Sequence, residues 1–334
     1  MNDHRHDTRI TLVTPAPPGS RAGNRATAER WAGLLEQAGF QVCVVTEYDG
    51  EATDLLIALH SWRSHQAVRA YRRRYPHGPL LVALTGTDVY RFQHTDPGPT
   101  YVSMDESQAL VGLHRGLAAD IPERYRERLH IVLQSAEAPI IEQVQQEPDH
   151  FEVCVIGHLR EEKDSLRAAY AARLLPPESR LQVLQAGKPH NEAWAAALER
   201  ELESNPRLNW LGELDRGGTQ ALMARARLMV ISSVMEGGAN VVSEACRAGL
   251  PILASDIPGN RGLLGDDYPG YYPPKDEAAL AELMWRAERE AGFLAELTRA
   301  VSAQAVHFTP QAEQASLLRA VNQALSTIGS IASP

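Results

Sequence analysis

Residues 227–244, RLMVISSVMEGGANVVSE, run from an apolar segment through a glycine-rich turn into a helical pattern. The segment RLMVIS (227–232) is typical of a buried strand, and the helix opens near Asn240. Glu236 and Glu244 stand eight positions apart on either side of the turn, which places one carboxylate in the loop and one on the helix. The free N–H groups at such a helix start form an anion site. On spacing alone, a cap at Glu236 and an exposed helix residue at Glu244 fit equally well.

The same alternation of apolar runs and helical patterns extends through the chain. Strand–helix–strand connections of this length indicate parallel pairing, and ligands of such sheets bind beyond the carboxyl ends of the strands. The sequence therefore predicts an α/β fold with two doubly wound, Rossmann-like domains that face an interdomain cleft. The predicted strands comprise residues 9–13, 41–45, 54–59, 79–84, 129–133, 151–157, 180–187, 207–212, 227–232 and 250–255.

Chain length and a proline-rich segment set the predicted domain limits. At roughly 150 residues per domain, a chain of 334 residues indicates two domains. The prolines and polar residues of segment 138–150 predict a linker between an N-terminal domain over 1–140 and a C-terminal domain over 151–308. Residues 309–334 are expected to form a terminal helix that returns to the N-terminal domain.

Two helices are predicted in more detail. The first is expected to be capped by Asn24 and closed by Gly39. The last is expected to run from about Thr309 to Ile328 and to be amphipathic. The predicted apolar faces consist of Ala28, Trp31, Leu34, Leu35 and Ala38 in the first helix, and of Ala312, Ala315, Leu318, Val321 and Leu325 in the last.

Composition and charge exclude several classes of protein. A chain that is 44% hydrophobic and 22% charged is too apolar for a disordered protein, and its net charge of −9 argues against a nucleic-acid partner. The basic run Arg69–Arg74 is expected to be a solvated helix face. No apolar stretch approaches the roughly 18 residues that span a bilayer, and the N-terminus lacks the shape of a signal peptide. The sequence predicts a cytoplasmic protein with no membrane partner.

Cysteine usage and missing motifs narrow the chemistry. Cys43, Cys154 and Cys246 lie in apolar or helical patterns and are expected to be buried thiols. The chain contains no G-x-G, P-loop, C-x-x-C, H-E-x-x-H or G-x-S-x-G motif, which disfavours dehydrogenases, kinases, zinc hydrolases and serine esterases. Because D-x-D is also absent, no metal site is expected. No cofactor is expected either.

A second charged motif, GHLREEKD (157–164), follows the first predicted strand of the second half. Cations at the carboxyl end of a strand, where the loop turns into a helix, suit a phosphate group. An ordinary charged helix start explains the same residues, so this motif alone does not identify a phosphate site.

The two motifs together resemble the signature of the retaining nucleotide-sugar glycosyltransferases with the GT-B fold. Residues 236–254 match the pattern Glu-Gly-x-x-Asn-Val-x-x-Glu followed by Ala-x-x-Ala-Gly-x-Pro-Ile-x-Ala, and residues 157–164 are similar to the family's Gly-Arg-Leu-x-x-x-Lys-Gly loop. The resemblance implies that the C-terminal domain binds a UDP-sugar, with Lys163 on the diphosphate and Glu244 on the ribose hydroxyls. The implied donor-sugar contacts are Glu236, Gly238, Ala239 and Asn240.

One departure from the family's loop affects its charge. His158 stands where the family has arginine, and Arg160, two residues on, is expected to supply the missing charge. The resemblance therefore implies a catalytic set of Glu236, Lys163, Arg160 and His158.

Four segments of the first half are more distinctive. As a set they resemble the selenosugar synthases of selenoneine biosynthesis, a branch of the same superfamily. This resemblance implies coupling of a UDP-sugar, with UDP-N-acetylglucosamine as the expected donor, to selenophosphate. A carbon–selenium bond would form at the anomeric carbon, with release of UDP and phosphate. The segments are TPAPPGSRAGNRATAERW (14–31), DLLIALHSWRS (54–64), PLLVALTGTDVYRF (79–92) and LHIVLQSAEAP (129–139).

Under this resemblance the N-terminal domain is the acceptor side. Many relatives have a histidine where this chain has Thr85, and an acceptor that is already anionic needs no base there. Arginines in the loop 19–25 suit its phosphate, although a plain turn with exposed arginines fits equally well. His60 and His65 could be metal ligands, but no carboxylate or cysteine lies at a suitable spacing from them, so His65 is expected on a helix surface. His60 is expected to line the cleft. The expected acceptor residues are Gly19, Ser20, Arg21, Gly23, Asn24, Arg25, His60, Thr85, Thr87 and Asp88.

Two other functions fit the same residues. One is transfer of a hexose to an oxygen acceptor, and the other is a catalytically silent protein that binds nucleotide sugars, since fold does not certify activity. The presence of Glu236, Glu244 and Lys163 disfavours the silent alternative. The expected partners are small-molecule substrates and, for a selenosugar synthase, a downstream enzyme of the selenoneine pathway that receives the product.

Overall fold

The computed structural model describes residues 4–137 and 149–326, and the chain divides into two compact units. The first unit contains the described residues up to Ser135, the segment Gly237–Ala239 and the described residues from Thr309 onward. The second contains the described residues of Ala136–Glu236 and the segment Asn240–Phe308. The predicted linker over 138–150 lies, except for its last two residues, outside the described residues.

The first unit is built on a six-stranded parallel sheet with the strand order β2-β1-β3-β4-β5-β6, which confirms the predicted α/β fold class. Its strands are β1 Arg9–Val13, β2 Gln41–Val45, β3 Leu55–Leu59, β4 Leu80–Leu84, β5 Ala109–Gly112 and β6 Leu129–Ile131. Its helices are α1 Gly23–Gln37, α2 His65–Arg74, α3 Gln93–Thr95, α4 Pro97–Glu106 and the last helix of the chain, Pro310–Ser326.

The second unit repeats this architecture with the strand order β12-β11-β10-β7-β8-β9, again all parallel. Its strands are β7 Phe151–Ile156, β8 Leu181–Ala186, β9 Leu208–Trp210, β10 Leu228–Ile231, β11 Ile252–Ser255 and β12 Tyr271–Tyr272. Its helices are α5 Arg167–Ala172, α6 Glu192–Ser204, α7 Arg216–Arg225, α8 Asn240–Ala248, α9 Pro258–Leu264, α10 Glu277–Arg289 and α11 Ala291–Gln304, so the last helix of the chain is α12.

Strand β3 explains why the strands appear in the sequence as continuous apolar runs. All five residues of Leu55–Leu59 are buried, and they alternate between the two faces of the sheet. The first, third and fifth pack with Trp31 of α1 and Val321 of α12, whereas the second and fourth pack with Tyr71 of α2. A parallel strand covered by helices on both faces has no polar side, so burial of apolar surface holds it in the middle of the sheet.

Two strands, β5 and β12, are missing from the sequence prediction. Strand β5 has four residues and β12 only two. Pairing with their neighbours defines both strands: β5 lies between β4 and β6, and β12 pairs with β11.

Helix α1 begins earlier than predicted. Its N-cap is Ala22, and Asn24 lies in the first turn, so the predicted cap at Asn24 is wrong. The cause is local, because Ser20 Oγ accepts a hydrogen bond from the backbone N–H of Ala22 at 3.1 Å and completes the turn before Asn24. Gly39 follows the helix with φ of +97°, in the left-handed region that glycine favours. The predicted apolar face is buried at Ala28, Trp31, Leu34 and Leu35.

Helix α12 buries a different face from the predicted one. Of the predicted face, Val321 is fully buried and Leu318 and Leu325 are partly buried against the core, whereas Ala315 is exposed. The buried residues are Glu313, Ser316, Leu317, Ala320, Val321 and Ala324. The buried face of α12 differs from the predicted apolar face because its first buried position holds the carboxylate side chain of Glu313 and not an apolar side chain.

That carboxylate belongs to Glu313, which is fully buried. Its Oε1 accepts a hydrogen bond from Trp31 Nε1 at 2.8 Å, and its Oε2 accepts one from Arg30 Nε at 2.8 Å. The backbone N–H of Ser135 donates to the same Oε2 at 2.8 Å, and the Ser135 hydroxyl also donates to it. A buried carboxylate is tolerated when it is both paired with a cation and hydrogen-bonded. Glu313 thereby joins α12 to α1 and to the segment that follows β6.

The sequence predicts that the basic run of α2 is a solvated face, but Arg72 in this run is partly buried and bonded to neighbouring segments. The guanidinium of Arg72 donates to the carbonyl oxygens of Tyr75 and Gly78 at 3.3 and 2.5 Å, and its Nε lies 2.9 Å from a carboxylate oxygen of Glu106 on α4. Burial lowers the pKa of Arg72. Arg72 therefore fastens the end of α2 to α4, because free carbonyl oxygens at a helix C-terminus attract a cation.

The thiol prediction holds for two of the three cysteines. Cys154 and Cys246 are buried, but Cys43 is exposed because β2 is an edge strand of its sheet. Over residues 4–137 and 149–326, no group of three or more His, Cys, Asp or Glu side chains is arranged to hold a metal ion. In the same residues, no helix combines the length and apolar character needed to cross a membrane.

Replacing Glu313 by glutamine is expected to destabilise the protein by about 3 kcal/mol, because an amide nitrogen would face donors and Arg30 would lose its counter-charge. Urea unfolding of Glu313→Gln measures this change. The control is Glu36→Gln on the exposed end of α1, which should change stability by less than about 0.5 kcal/mol. Equal stability of the two variants would contradict the assignment of Glu313 as the connector of α12.

Candidate functional site

The two sequence motifs of the second unit follow neighbouring strands. Strands β7 and β10 pair in parallel, with Val153 opposite Leu228 and Cys154 opposite Met229. The carboxyl ends of parallel neighbours lie at the same edge of a sheet. The loop 157–164 after β7 and the loop 232–236 after β10 therefore meet at that edge.

The centre of this meeting is an ion pair between Lys163 and Glu236. The Lys163 ammonium donates to Glu236 Oε1, and the two side chains are 19% and 10% exposed. Ser233 Oγ donates to the same oxygen at 2.7 Å. Glu236 Oε1 thus accepts two hydrogen bonds, and the one from the ammonium is charge-assisted. The structure thus brings together two of the four predicted catalytic residues.

Backbone contacts fix the two loops to each other. Ser232 Oγ donates to the carbonyl oxygens of Lys163 and Asp164 at 3.0 and 2.9 Å, and the N–H of Val234 donates to the carbonyl oxygen of Glu162 at 2.9 Å. Asp164 has φ of +44°, in the left-handed region, at the position where the related loop has glycine. Aspartate tolerates this conformation better than most residues, so the loop keeps its turn without the glycine.

The other two predicted catalytic residues lie against different carboxylates. His158 Nε2 is 3.6 Å from Glu213 Oε1, and Arg160, 46% exposed, has its Nε 4.0 Å from Glu162 Oε2. Burial lowers the pKa of His158. Glu213 opposes this shift and Lys188 adds to it, and both effects are smaller than that of burial. His158 is therefore neutral near pH 7.

The predicted donor-binding residues lie around the start of α8. The helix begins at Asn240, as the sequence indicates, and Glu244 is half-buried one turn further on. The preceding segment Gly237–Ala239 groups with the first unit, where a Cβ added to Gly238 would lie 2.5 Å from the Cβ of Leu113. That distance is shorter than real Cβ contacts allow, so a larger residue does not fit at Gly238 without movement of the chain.

In the first unit, Asp88 holds the turn that follows β4. Its side chain is fully buried, and its carboxylate accepts hydrogen bonds from the backbone N–H groups of Ser61, Thr85 and Gly86 at 3.0, 3.0 and 2.8 Å. It also accepts one from its neighbour Val89 at 3.2 Å. Backbone amides thus satisfy the buried charge, and Asp88 anchors the loop that carries Thr85 and Thr87.

His60 and Thr87 form a hydrogen-bonded pair beside this turn. His60 Nδ1 accepts from the N–H of Arg63 at 3.2 Å, so Nε2 carries the proton and donates to Thr87 Oγ1 at 2.8 Å. His60 is 2% exposed, and burial lowers its pKa. Its φ of +71° is unusual for a residue other than glycine, and such strained backbone is concentrated at functional sites.

The predicted anion loop ends in an arginine that is not surface-exposed. Arg25 is 11% exposed, its Nε donates to Glu29 at 2.6 Å, and its Nη1 is buried without a hydrogen-bond partner among the described residues. No side chain caps the start of α1, where Arg25 lies. The alternative of a plain turn with exposed arginines therefore fails for Arg25, whereas Arg21 is exposed.

Sequence reasoning did not find a third cluster in the first unit, around His114. The Tyr90 hydroxyl donates to Asp120 Oδ2 at 2.7 Å and lies 2.7 Å from His114 Nε2, which must therefore donate to it. Burial lowers the pKa of His114 to about 4 and outweighs the opposing effect of Asp120. His114 follows β5, the strand that the sequence prediction missed, so no signal placed it at the edge of the sheet.

Two parallel-sheet α/β units, with a lysine–glutamate pair at the strand ends of the second, define a protein of the GT-B class. The chain belongs to the family of glycosyl transferases group 1, whose model matches residues 137–305, just over half of the chain. No curated protein matches it.

Several solved structures share the fold. HepE (Alr3699) of Anabaena, in complex with UDP and glucose, is 15% identical with a TM-score of 0.75, over 94% of this chain and 99% of that one. Sucrose-phosphate synthase (tll1590) from Thermosynechococcus elongatus is 15% identical with a TM-score of 0.79, over 96% of this chain and 99% of that one. A glycosyltransferase from Rickettsia africae is 11% identical with a TM-score of 0.70, over 95% and 98%. At these identities the likeness establishes the fold.

The low pKa of His114 predicts a loss of stability in acid. The unfolded chain takes up a proton near pH 6.5 and the folded chain only near pH 4, so the stability is complete above about 6.5 and falls as the pH drops to about 4. The loss should approach about 3 kcal/mol. Urea unfolding of wild type and His114→Gln across this range measures it, with the exposed His94→Gln as control. Identical pH profiles for wild type and His114→Gln would contradict the prediction.

Proposed function

We propose that this chain couples a UDP-sugar, with UDP-N-acetylglucosamine as donor, to selenophosphate. Membership in glycosyl transferases group 1 supports the reaction class. The structures of HepE in complex with UDP and glucose and in complex with UDP-glucose support a uridine nucleotide as the leaving group. The four N-terminal segments that resemble the selenosugar synthases of selenoneine biosynthesis support selenophosphate as the acceptor.

The observation that carries the proposal is the pairing of Lys163 with Glu236 at adjoining strand ends. In the proposed donor complex, the ammonium of Lys163 pairs with the diphosphate instead of with Glu236. The Glu236 carboxylate then accepts hydrogen bonds from the hydroxyls of the sugar. Glu244 accepts hydrogen bonds from the ribose hydroxyls, and the amides of Gly238–Asn240 contact the sugar at the start of α8. Each of these groups lies at the carboxyl edge of a parallel sheet or at a helix start, where anions and sugars bind.

Arg160 and His158 have different proposed roles in this complex. His158 is neutral near pH 7 and offers a hydrogen bond rather than a charge. Arg160 is permanently charged and partly exposed, so it can turn to the diphosphate and stabilise the charge that develops on UDP.

The proposed reaction needs no general base. Selenium of selenophosphate attacks the anomeric carbon with its own electron pair, and the bond from that carbon to UDP breaks with its electrons leaving on UDP. Water then cleaves the selenium–phosphorus bond, which releases phosphate and leaves a selenol on the sugar. A sugar hydroxyl would have to lose a proton in the same step. Thr85, which has no titratable side chain, stands where many relatives have a histidine.

The phosphate end of the acceptor is proposed to bind at the start of α1. Arg25 supplies a buried Nη1 without a hydrogen-bond partner among the described residues, and the uncapped helix supplies N–H groups at Gly23 and Asn24. Gly19, Ser20 and Arg21 form the turn that precedes them. A small, multiply charged anion suits such a site better than a neutral sugar hydroxyl does.

His60 and Thr87 are proposed to contribute a neutral donor to the acceptor side. Thr87 Oγ1 accepts a hydrogen bond from His60 Nε2–H, so the Thr87 hydroxyl hydrogen is left to donate to a ligand. Asp88 acts through the loop, since its carboxylate is occupied by backbone amides and would repel an anion.

Purified protein incubated with UDP-N-acetylglucosamine tests the proposal. UDP release should require selenophosphate, and mass spectrometry should find selenium in the sugar product. UDP release with a sugar alcohol but not with selenophosphate would support hexose transfer to oxygen. Binding of UDP without turnover under any condition would identify a silent binding protein, and either result would overturn the proposal.

Lys163→Ala is the matched control for this assay. Loss of one preorganised charge-stabilising group should lower turnover by about 10²–10³-fold. A folded Lys163→Ala protein with normal turnover would show that the measured UDP release does not use the proposed site.

Arg25→Ala should raise the KM for selenophosphate about 10- to 100-fold, because a charge-assisted hydrogen bond contributes about 1.5–3 kcal/mol. The KM for the UDP-sugar should stay nearly constant. Steady-state kinetics with each substrate varied in turn measures both, and Arg69→Ala on the exposed face of α2 is the control. Equal damage to both substrates would assign Arg25 to the donor diphosphate instead.

A further inference from the structure

Glu236 stands at the end of a line of buried hydrogen bonds in the second unit. Asn260 Nδ2 donates to the carbonyl oxygen and the hydroxyl of Ser255 at 2.8 and 3.1 Å, and Ser255 Oγ donates to the carbonyl oxygen of Ser233. Ser233 Oγ in turn donates to Glu236 at 2.7 Å. Asn260 and Ser255 are completely buried, and Ser233 is 2% exposed. The line therefore connects α9, deep in the unit, to a carboxylate at the edge of the sheet.

The topology explains why these residues meet. Strands β10 and β11 are parallel neighbours, with Val230 opposite Leu253 and Ile231 opposite Ala254. Ser233 lies just past the end of β10, and Ser255 is the last residue of β11. Their side chains consequently reach the same edge of the sheet, and α9 starts three residues after Ser255.

Gly259, in the first turn of α9, packs directly against the backbone of Glu236. A Cβ added to Gly259 would lie well inside 3.0 Å of the Glu236 carbonyl oxygen and at 3.0 Å from its carbonyl carbon and its Cβ. The nearest obstacle is backbone, which cannot move aside as the tip of a flexible side chain does. Lack of space, rather than a left-handed backbone, is what requires glycine at this position.

The hydrogen bonds of Glu236 leave one of its oxygens for a ligand. Among the described residues, Lys163 and Ser233 both donate to Oε1. Oε2 is the remaining acceptor, and the side chain is 10% exposed. The direction in which Oε2 points depends on where the backbone of Glu236 lies, because Oε1 is already fixed by two donors.

We infer that Gly259, Ser255 and Asn260 are positioning residues that set the orientation of Glu236 toward the donor sugar. This inference rests on the proposed function, in which Glu236 contacts the sugar of a UDP-sugar. None of the three touches substrate in this assignment. Gly259 packs against the backbone of Glu236. Ser255 holds the carbonyl oxygen of Ser233, and Asn260 holds Ser255.

Gly259→Ala should lower kcat by about 10²-fold, the cost of a displacement of about 1 Å in a group that orients the substrate. The Kd of UDP, measured by calorimetry, should change less than about threefold, since uridine and ribose are held by other groups. Gly292→Ala, at the start of α11, is the matched control, because an added Cβ there meets nothing within 4 Å. Its kcat, UDP affinity and melting temperature should equal those of wild type.

A double-mutant cycle separates positioning from general destabilisation. Glu236→Gln alone should lower kcat, and adding Gly259→Ala to it should lower kcat less than about twofold further, because the group being positioned is already lost. Additive losses would overturn the inference, as a merely structural glycine would harm both backgrounds alike. If Gly259→Ala does not fold, Ser255→Ala takes its place, with a loss of about tenfold in kcat expected for one buried hydrogen bond.

A crystal structure of Gly259→Ala, or of Ser255→Ala, gives a readout that is independent of turnover. Glu236 Oε1 should no longer lie within hydrogen-bond distance of both Lys163 and Ser233. Retention of both contacts would overturn the inference. A wild-type protein that releases no UDP from UDP-N-acetylglucosamine would refute the proposed function, whereas the structural result would still decide whether these residues position Glu236.

Discussion

Parallel pairing of every strand is the constraint from which the candidate site follows. In such a sheet all carboxyl ends share one edge, so loops that are far apart in the chain become neighbours there. In the second unit this brings Lys163, after β7, to Glu236, after β10, although 73 positions separate them. In the first unit it brings His60, after β3, to Thr87, after β4. The chemistry of both units therefore depends on strand order and not on proximity in sequence.

Burial of charge is the second constraint, and the chain meets it in two ways. Within the described residues no cation donates a hydrogen bond to Asp88, which instead accepts from the backbone amide of Ser61, after β3, and from those of Thr85 and Gly86, after β4. Glu313 instead combines Arg30 with the indole of Trp31 and a backbone amide. Unsatisfied buried carboxylates would cost several kcal/mol each. Both acids consequently fix local geometry: Asp88 that of a loop, and Glu313 that of a whole helix.

Repeating hydrophobic patterns were enough to predict the fold class and most strands. Features that depend on one residue and its distant partners, such as the buried face of α12, could not be predicted from the sequence. Long apolar runs such as β3 predicted the fold class and ten of the twelve strands found in residues 4–137 and 149–326. The motif residues Lys163 and Glu236 were identified from their neighbours in sequence. The buried face of α12 was wrong because periodicity cannot anticipate a carboxylate that is drawn inward by partners from distant segments. Asn260 and Gly259 carry no local signal at all, since their role exists only where α9 meets Glu236.

The Lys163–Glu236 pair also joins the loop after β7 to the loop after β10. Both side chains are mostly buried, and a lone charge of either sign would be costly there. In the proposed complex, a diphosphate replaces one anion at Lys163 with another, so the ammonium never loses its counter-charge. Glu236 exchanges the ammonium for sugar hydroxyls and keeps Ser233. A ligand with a sugar but no diphosphate offers Lys163 no other anion, so the original pair would stay intact and Glu236 would not turn to the sugar.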